Sequence, residues 1–190
     1  MNMLFWIVLD LIPFFVAFQL HPPVVGFSVG LLLTLAIRLF QKRRFGEVNT
    51  IIKVKTWYFF CSLAIAILFP DVRLFDFTQL FVYGILTLTT ILSLLVKKPF
   101  TLQYAKKTVA PQFHDQPLFV STNYWLTAAW ALSFGLSFAF AVLYTLNVIP
   151  GEIGIMLVHT WNILGFAVTF LVRFLGRQYY LKQKGSKTGA

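Results

Sequence analysis

Six apolar runs, parted from one another by prolines and charged clusters, constrain this chain more than anything else in its sequence. They fall at about 3–20, 24–40, 54–70, 80–97, 122–148 and 152–176. Crossing about 30 Å of hydrocarbon takes roughly 20 apolar residues. Lipid offers the backbone no hydrogen-bond partner, so each crossing segment has to satisfy itself as a helix. The expected fold is therefore all-α: a polytopic membrane protein of six transmembrane helices. It forms a single domain over 1–178, followed by a flexible basic tail at 179–190. Composition agrees. The chain is 58% hydrophobic and 12% charged, whereas soluble domains average about 45–50% apolar and about 25% charged. The third run narrows to an apolar segment at Thr56–Phe69, the shortest of the six, and crosses only by recruiting Val54 or by tilting of its neighbours. Every proline except Pro13 falls in a connection or at a segment end.

Charge sets the orientation. Lys42, Arg43, Arg44, Lys53 and Lys55 occupy the loop 41–55, and Lys97, Lys98, Lys106 and Lys107 stand at or within the loop 98–120. Arg177, Lys182, Lys184 and Lys187 follow the sixth run. The opposite connections hold only Arg73, beside Asp71, Asp76 and Glu152. By the positive-inside rule both termini and both basic loops are cytoplasmic. The net charge of +10 is thus spent at the membrane surface, and no domain is left over to bind nucleic acid. The first run lacks a basic leader and an Ala-x-Ala site, so it is expected to persist as a span. Three successive hairpins suggest an internal repeat, although only Gly26-Phe27-Ser28-Val29 and Gly165-Phe166-Ala167-Val168 look alike.

Asp10 is the one acid set well inside a span, where an ionisable group costs about 2.5–3.5 kcal/mol on insertion scales and marks a functional candidate. It lies about 10 Å along the helix from Met3. Pro13 cannot donate to the carbonyl of Leu9, so a kink at Pro13 leaves a free acceptor beside the carboxylate. Two readings are open. Asp10 either sits in a kinked span facing its neighbours, or caps a helix whose first turn holds Pro13. In the first reading Arg38 is the expected partner, because the first two spans form a tight hairpin, and Arg173 is the second choice. Otherwise these arginines snorkel to the headgroups.

His159 and Asn162 share a helical face at i, i+3 in the sixth span, a pattern that serves interhelical hydrogen bonding more often than chemistry. Tyr124 and Trp125 belong to an interfacial aromatic belt, and Ala128, Ser133, Gly135 and Ser137 supply small surfaces for close packing. Phe100, Tyr104, Ala105 and Val109 recur at near-helical spacing in the loop 98–120. With Lys106 and Lys107 they suggest a short interfacial helix facing anionic lipid or a docking partner.

No chemistry beyond this is nominated. His21, His114 and His159 fall at different depths and make no metal site. No phosphate loop, serine triad or CxxC is present, and no cofactor is expected. Cys61 is the single cysteine.

In whole-chain pattern the sequence resembles the intracellular septation protein A family of small bacterial inner-membrane proteins. The resemblance rests on Asp10-Leu11-Ile12-Pro13, on "KRRFGEV" after the second run, on "LFDFTQLFVYGILTLTTILSLLVKKP", and on "NYWLTAAWAL" opening the fifth. It implies a multi-pass protein of the cell inner membrane, acting in envelope maintenance or septation through contacts with other membrane proteins, without catalytic residues. Two alternatives remain beside it. One is a small proton- or cation-coupled transporter or channel using Asp10, for which a homodimer is the natural way to enclose a pathway. The other is an intramembrane enzyme acting on a lipid.

Overall fold

The computed structural model describes the backbone of residues 3–188 and the side chains of residues 5–175 apart from 73, 76 and 173. The described chain is helical throughout: α1 (Met3–Gln19), α2 (Pro23–Phe45), α3 (Thr50–Leu68), α4 (Thr78–Leu95), α5 (Phe100–Lys106), α6 (Pro117–Thr145) and α7 (Gly151–Thr188). Short 3-10 turns at Arg73–Phe77 and Pro111–Phe113 complete the connections. Four of these helices, α2, α3, α4 and α6, are long and apolar enough to cross a membrane, as is the Gly151–Val172 part of α7. The protein is an all-α polytopic membrane protein. Helix α1, of 17 residues, rises about 25 Å, a little short of the hydrocarbon thickness; a sixth crossing requires it to span at this length.

The helices outrun the apolar segments at their basic ends. Helix α2 continues through Lys42, Arg43 and Arg44 and stops at Gly46, whose φ of 75° suits the left-handed cap that glycine provides. Helix α3 begins already at Thr50. The basic loop expected over 41–55 is therefore only residues 46–49, and its flanks are helical because Gln41, Asn49 and Lys55 are buried among neighbouring helices. Helix α1 runs from Met3 straight through Pro13, so Asp10 lies mid-helix and the capping alternative is wrong. Helix α6 starts at Pro117, ahead of the expected boundary. Helix α7 continues through Thr188, into the stretch expected as a tail.

Packing divides the spans into two groups. Helices α1, α2 and α3 pack together, and α4, α6 and α7 pack together, while direct contact between the groups is thin. In the first group Phe14 meets Phe59 and Tyr58 with ring centres 5.2 and 5.5 Å apart. In the second, Trp130 is buried against Phe134 and Phe166, and its indole N–H donates to Thr169 Oγ1 at 2.9 Å. Ser133 and Ser137 on α6 donate to the carbonyls of Trp161 and Val158 on α7. Small residues thus let these two helices approach and bond directly.

Gly26 shows how close the first hairpin is. A Cβ there would stand 2.3 Å from the carbonyl oxygen of Ala17 on α1, and backbone cannot step aside as a side chain can. Gly26→Val is expected to destabilise the protein by at least about 1–3 kcal/mol, the usual cost of overpacking, read as a lower Tm in detergent. At Gly135 the nearest atom to a new Cβ is a Thr87 methyl at 3.8 Å, so Gly135→Ala should hold the Tm or raise it, as alanine does in a helix interior.

Candidate functional site

Where α1, α2, α3 and α5 converge, at the basic end of the bundle, the structure buries a cluster of polar side chains. Asp10, Gln41, Asn49, Lys55 and Tyr104 are each no more than 2% exposed. Asp10 is the hub. The Tyr104 hydroxyl donates to its Oδ2, and the Gln41 amide Nε2 donates to Oδ1 at 3.2 Å and Oδ2 at 3.4 Å. Gln41 then passes the connection on. Its Oε1 accepts the backbone N–H of Asn49 at 3.1 Å and the ammonium of Lys107 at 3.1 Å. The carboxylate is thus tied directly to α2 and α5, and through one amide to the α2–α3 turn.

Two lysines supply countercharge. Lys55 is buried on α3 as a countercharge to Asp10, but its ammonium makes no hydrogen bond. It stands 5.4 Å from the centre of the Phe14 ring, within range of a cation–π attraction. Lys107, half-buried, lies 4.7 Å from the Phe45 ring centre. Burial lowers its pKa from the ordinary lysine value, with the Asp10 and Glu47 carboxylates acting the other way. Burial and then the Asp10 charge raise the Tyr104 phenol well above its usual value, which keeps it protonated and a donor. The side chains of Asn49 and Thr34, fully buried, leave polar atoms without hydrogen-bond partners.

Helix α5 is the element that joins this cluster to the rest. Thr101 is fully buried, and its hydroxyl donates to the Asn123 carbonyl of α6 at 2.7 Å. Having only one proton to give, it must accept from the Thr127 hydroxyl at 2.7 Å. Gln103 accepts the Thr50 N–H at 2.9 Å and so satisfies the first turn of α3 in place of a local cap. The Phe100 N–H donates to Ser93 of α4 at 3.3 Å. A helix of seven residues, with Lys107 at its end, therefore bonds to elements of both groups of spans.

Several expectations are corrected here. Asp10 does face its neighbours, but Arg38 is not among its partners; Gln41, one turn further along α2, reaches the carboxylate instead. The Arg173 side chain lies outside the described residues. Phe100 and Tyr104 do not face lipid or a docking partner: at 2% and 1% exposure they point into the bundle, because the Tyr104 and Thr101 hydroxyls find buried partners there. Lys107 also turns inward, whereas Lys106 is exposed. His159 and Asn162 do not work as a pair. His159 is exposed on α7, while the Asn162 amide donates to the Tyr83 hydroxyl at 2.9 Å and the Val158 carbonyl at 3.0 Å, joining α7 to α4. Asn123, within α6, donates to the Phe119 carbonyl at 2.8 Å. Among the described residues, no three His, Cys, Asp or Glu side chains gather to hold a metal ion.

Gln41, Asn49 and Lys55 are the members that the sequence alone does not single out. All three fall in the stretch 41–55 expected as a basic loop, yet Lys55 falls at i+4 from Ile51 and i−4 from Phe59, and Gln41 at i+7 from Thr34. That spacing puts each on the inward stripe of its helix.

Fold and site together define a polytopic α-helical membrane protein braced by a buried carboxylate network at the basic end of its bundle. In comparison with known proteins no family model matches the chain, and neither a curated protein nor a solved structure does.

Removing a partner from a buried polar network leaves the other group's desolvation uncompensated, at a cost of about 1–3 kcal/mol. Tyr104→Phe is expected to destabilise by that amount. A double-mutant cycle with Asp10→Asn should give a coupling of at least about 0.5 kcal/mol, measured by unfolding in detergent. Arg38→Gln should show no coupling to Asp10→Asn; a coupling as large as that of Tyr104 would restore Arg38 as the partner.

Proposed function

We propose that this chain is a non-enzymatic multi-pass protein of the cell inner membrane, acting in envelope maintenance or septation through contacts with other membrane proteins. The observation that carries the reading is the state of Asp10. A transport carboxylate must be free to bind and release its cargo, whereas this one is enclosed and held by Tyr104 and Gln41 from two different elements. Such an arrangement fixes helices in place. The resemblance to intracellular septation protein A in the Asp10–Pro13 and Asn123–Leu132 stretches gives the reading its cellular direction. The residues a lipid-modifying site would use do not come together: His159 faces outward, Asn162 is engaged with Tyr83, and the groups around Asp10 come from other helices.

One observation favours the transporter reading as a second. The Lys55 ammonium, the Thr34 hydroxyl and the Asn49 amide are buried in the same bundle without hydrogen-bond partners, and buried polar atoms of this kind are ordinarily satisfied in that way. A water would satisfy them, and a chain of waters can pass a proton.

The two readings part in reconstituted vesicles. The envelope reading expects proton and cation flux equal to that of empty vesicles at every pH, with Asp10→Asn still folded and still supporting growth and division. pH-dependent flux that Asp10→Asn abolishes establishes the transporter instead. Mild-detergent purification is expected to bring defined envelope membrane proteins along with the chain, and recovery of none overturns the envelope reading.

A further inference from the structure

Helix α7 is the least covered of the five long spans: 17% of its Gly151–Val172 part is buried, against 39% for α6. It packs chiefly against α6, and its far side is open. That open side is not uniformly apolar. His159 and Thr160 both stand exposed on it, about 10–12 Å along the helix from Glu152, the charge at its outer end. At that depth hydrocarbon offers an imidazole no hydrogen-bond partner, and the side chain lacks the length with which lysine and arginine reach the headgroups. Polar groups inside a span almost always face protein or a water-filled cavity. None of the described residues bonds to His159. Its polar neighbours in the chain are already engaged, Thr160 donating to the Met156 carbonyl at 2.8 Å and Asn162 to Tyr83.

The same side carries a regular pattern. Met156, Thr160, Ile163, Ala167, Phe170 and Phe174 are all exposed and follow one another at alternating steps of four and three. This is the seven-residue repeat by which helices pair in a left-handed coil. From Met156 to Phe174 it rises about 27 Å, close to the full hydrocarbon thickness. In such a repeat Thr160 is a knob, and the residue before it, His159, helps to form the hole that receives the facing helix's knob. Symmetry says what meets the stripe. Copies of one chain insert with their basic ends on the same side, so a two-fold axis between them runs along the membrane normal. Every residue then meets its neighbour at its own depth. An axis along the stripe brings His159 of each copy against Thr160 of the other. A neutral imidazole has one N–H to give, and the Thr160 oxygen keeps a lone pair to receive it after donating to Met156. Two equivalent bonds result, and the imidazole is satisfied in both copies.

We propose that the open side of α7 is a homodimer interface: two copies of this chain pair in parallel along the stripe from Met156 to Phe174, and His159 of each donates to Thr160 of the other. The imidazole sets the register, since sliding one helix by a turn parts each His159 from its acceptor. An unrelated membrane protein would need both the repeat and a hydroxyl at this depth; a second copy has both.

The full chain, reconstituted in liposomes over a series of protein-to-lipid ratios, tests this. With the native thiol removed by Cys61→Ser, Ile163→Cys on the stripe is expected to form a disulfide-linked dimer on mild oxidation. Leu132→Cys, similarly exposed on α6, should form none. Energy transfer between labelled copies is expected to report a dimer whose dissociation constant rises at least about fivefold in His159→Leu. His159→Gln keeps a donor and should recover most of that loss. Because His159 makes no bond within its own chain, circular dichroism should show both variants as helical as the parent. A chain that stays monomeric at every ratio overturns the proposal, as does a dimer that His159→Leu leaves unchanged, or cross-linking as strong from Leu132→Cys as from Ile163→Cys. Cross-linking of Ile163→Cys to a different protein in native membranes, with the purified chain monomeric, assigns the stripe to that protein and removes the second copy from it.

Discussion

Holding a carboxylate inside a helix bundle is costly unless charge and hydrogen bonds are brought to it, and bringing them to Asp10 dictates much of this molecule's basic end. Helix α2 has to stay wound past the apolar segment to deliver Gln41. The turn after it has to be short enough for the Asn49 N–H to reach the same amide. Helix α5 has to leave the membrane surface and dock, so that Tyr104 can donate. Lys55 has to sit where its field, rather than a direct bond, offsets the charge. Each of these features is irregular when viewed by itself; around one buried charge they become a set of requirements. The geometry is also directional, since Tyr104 only donates to Asp10 while Gln41 both donates and accepts.

The division of the spans into two groups makes α5 more than a connection. Phe14 and Phe59 lie in one group and Trp130 in the other, yet the buried apolar side chains of both belong to one continuous core, to which α5 adds Phe100 and Tyr104. At the basic end a polar seam is added to that core, with Tyr104 and Lys107 bonding to Asp10 and Gln41 and Thr101 bonding to α6. Hydrogen bonds in such a seam fix angle and register, where apolar contact alone would permit sliding.

The membrane architecture was legible because hydrophobic length and lysine–arginine placement obey simple rules in a bilayer. The apolar runs became helices, and the small residues of the fifth run became its contact with α7. The site was legible only by half. Asp10 stood out because an acid is conspicuous among phenylalanines, and its inward orientation followed. Its partners did not, because they come from residues that a charge tally assigns to the surface. Lys55 and Lys107 look like positive-inside markers, and Gln41 looks like the start of a basic loop. The helical spacing of Phe100 and Tyr104 correctly indicates a helix, but spacing cannot tell whether its apolar face meets lipid or protein. That choice was made by two hydroxyls, on Thr101 and Tyr104, whose acceptors lie far away along the chain.

That distance has a temporal side. Tyr104 follows Asp10 by 94 residues, and chains are made at about 5–20 residues per second. For roughly 5–19 s after it is made, then, Asp10 is attended only by groups already made, Gln41 and later Lys55. Helices α2 to α4 are all synthesised within that interval, and the polar flank stays open until the arrival of α5 closes it. Quality control in the membrane would meet its most recognisable target in that window, before the molecule has hidden the Asp10 carboxylate.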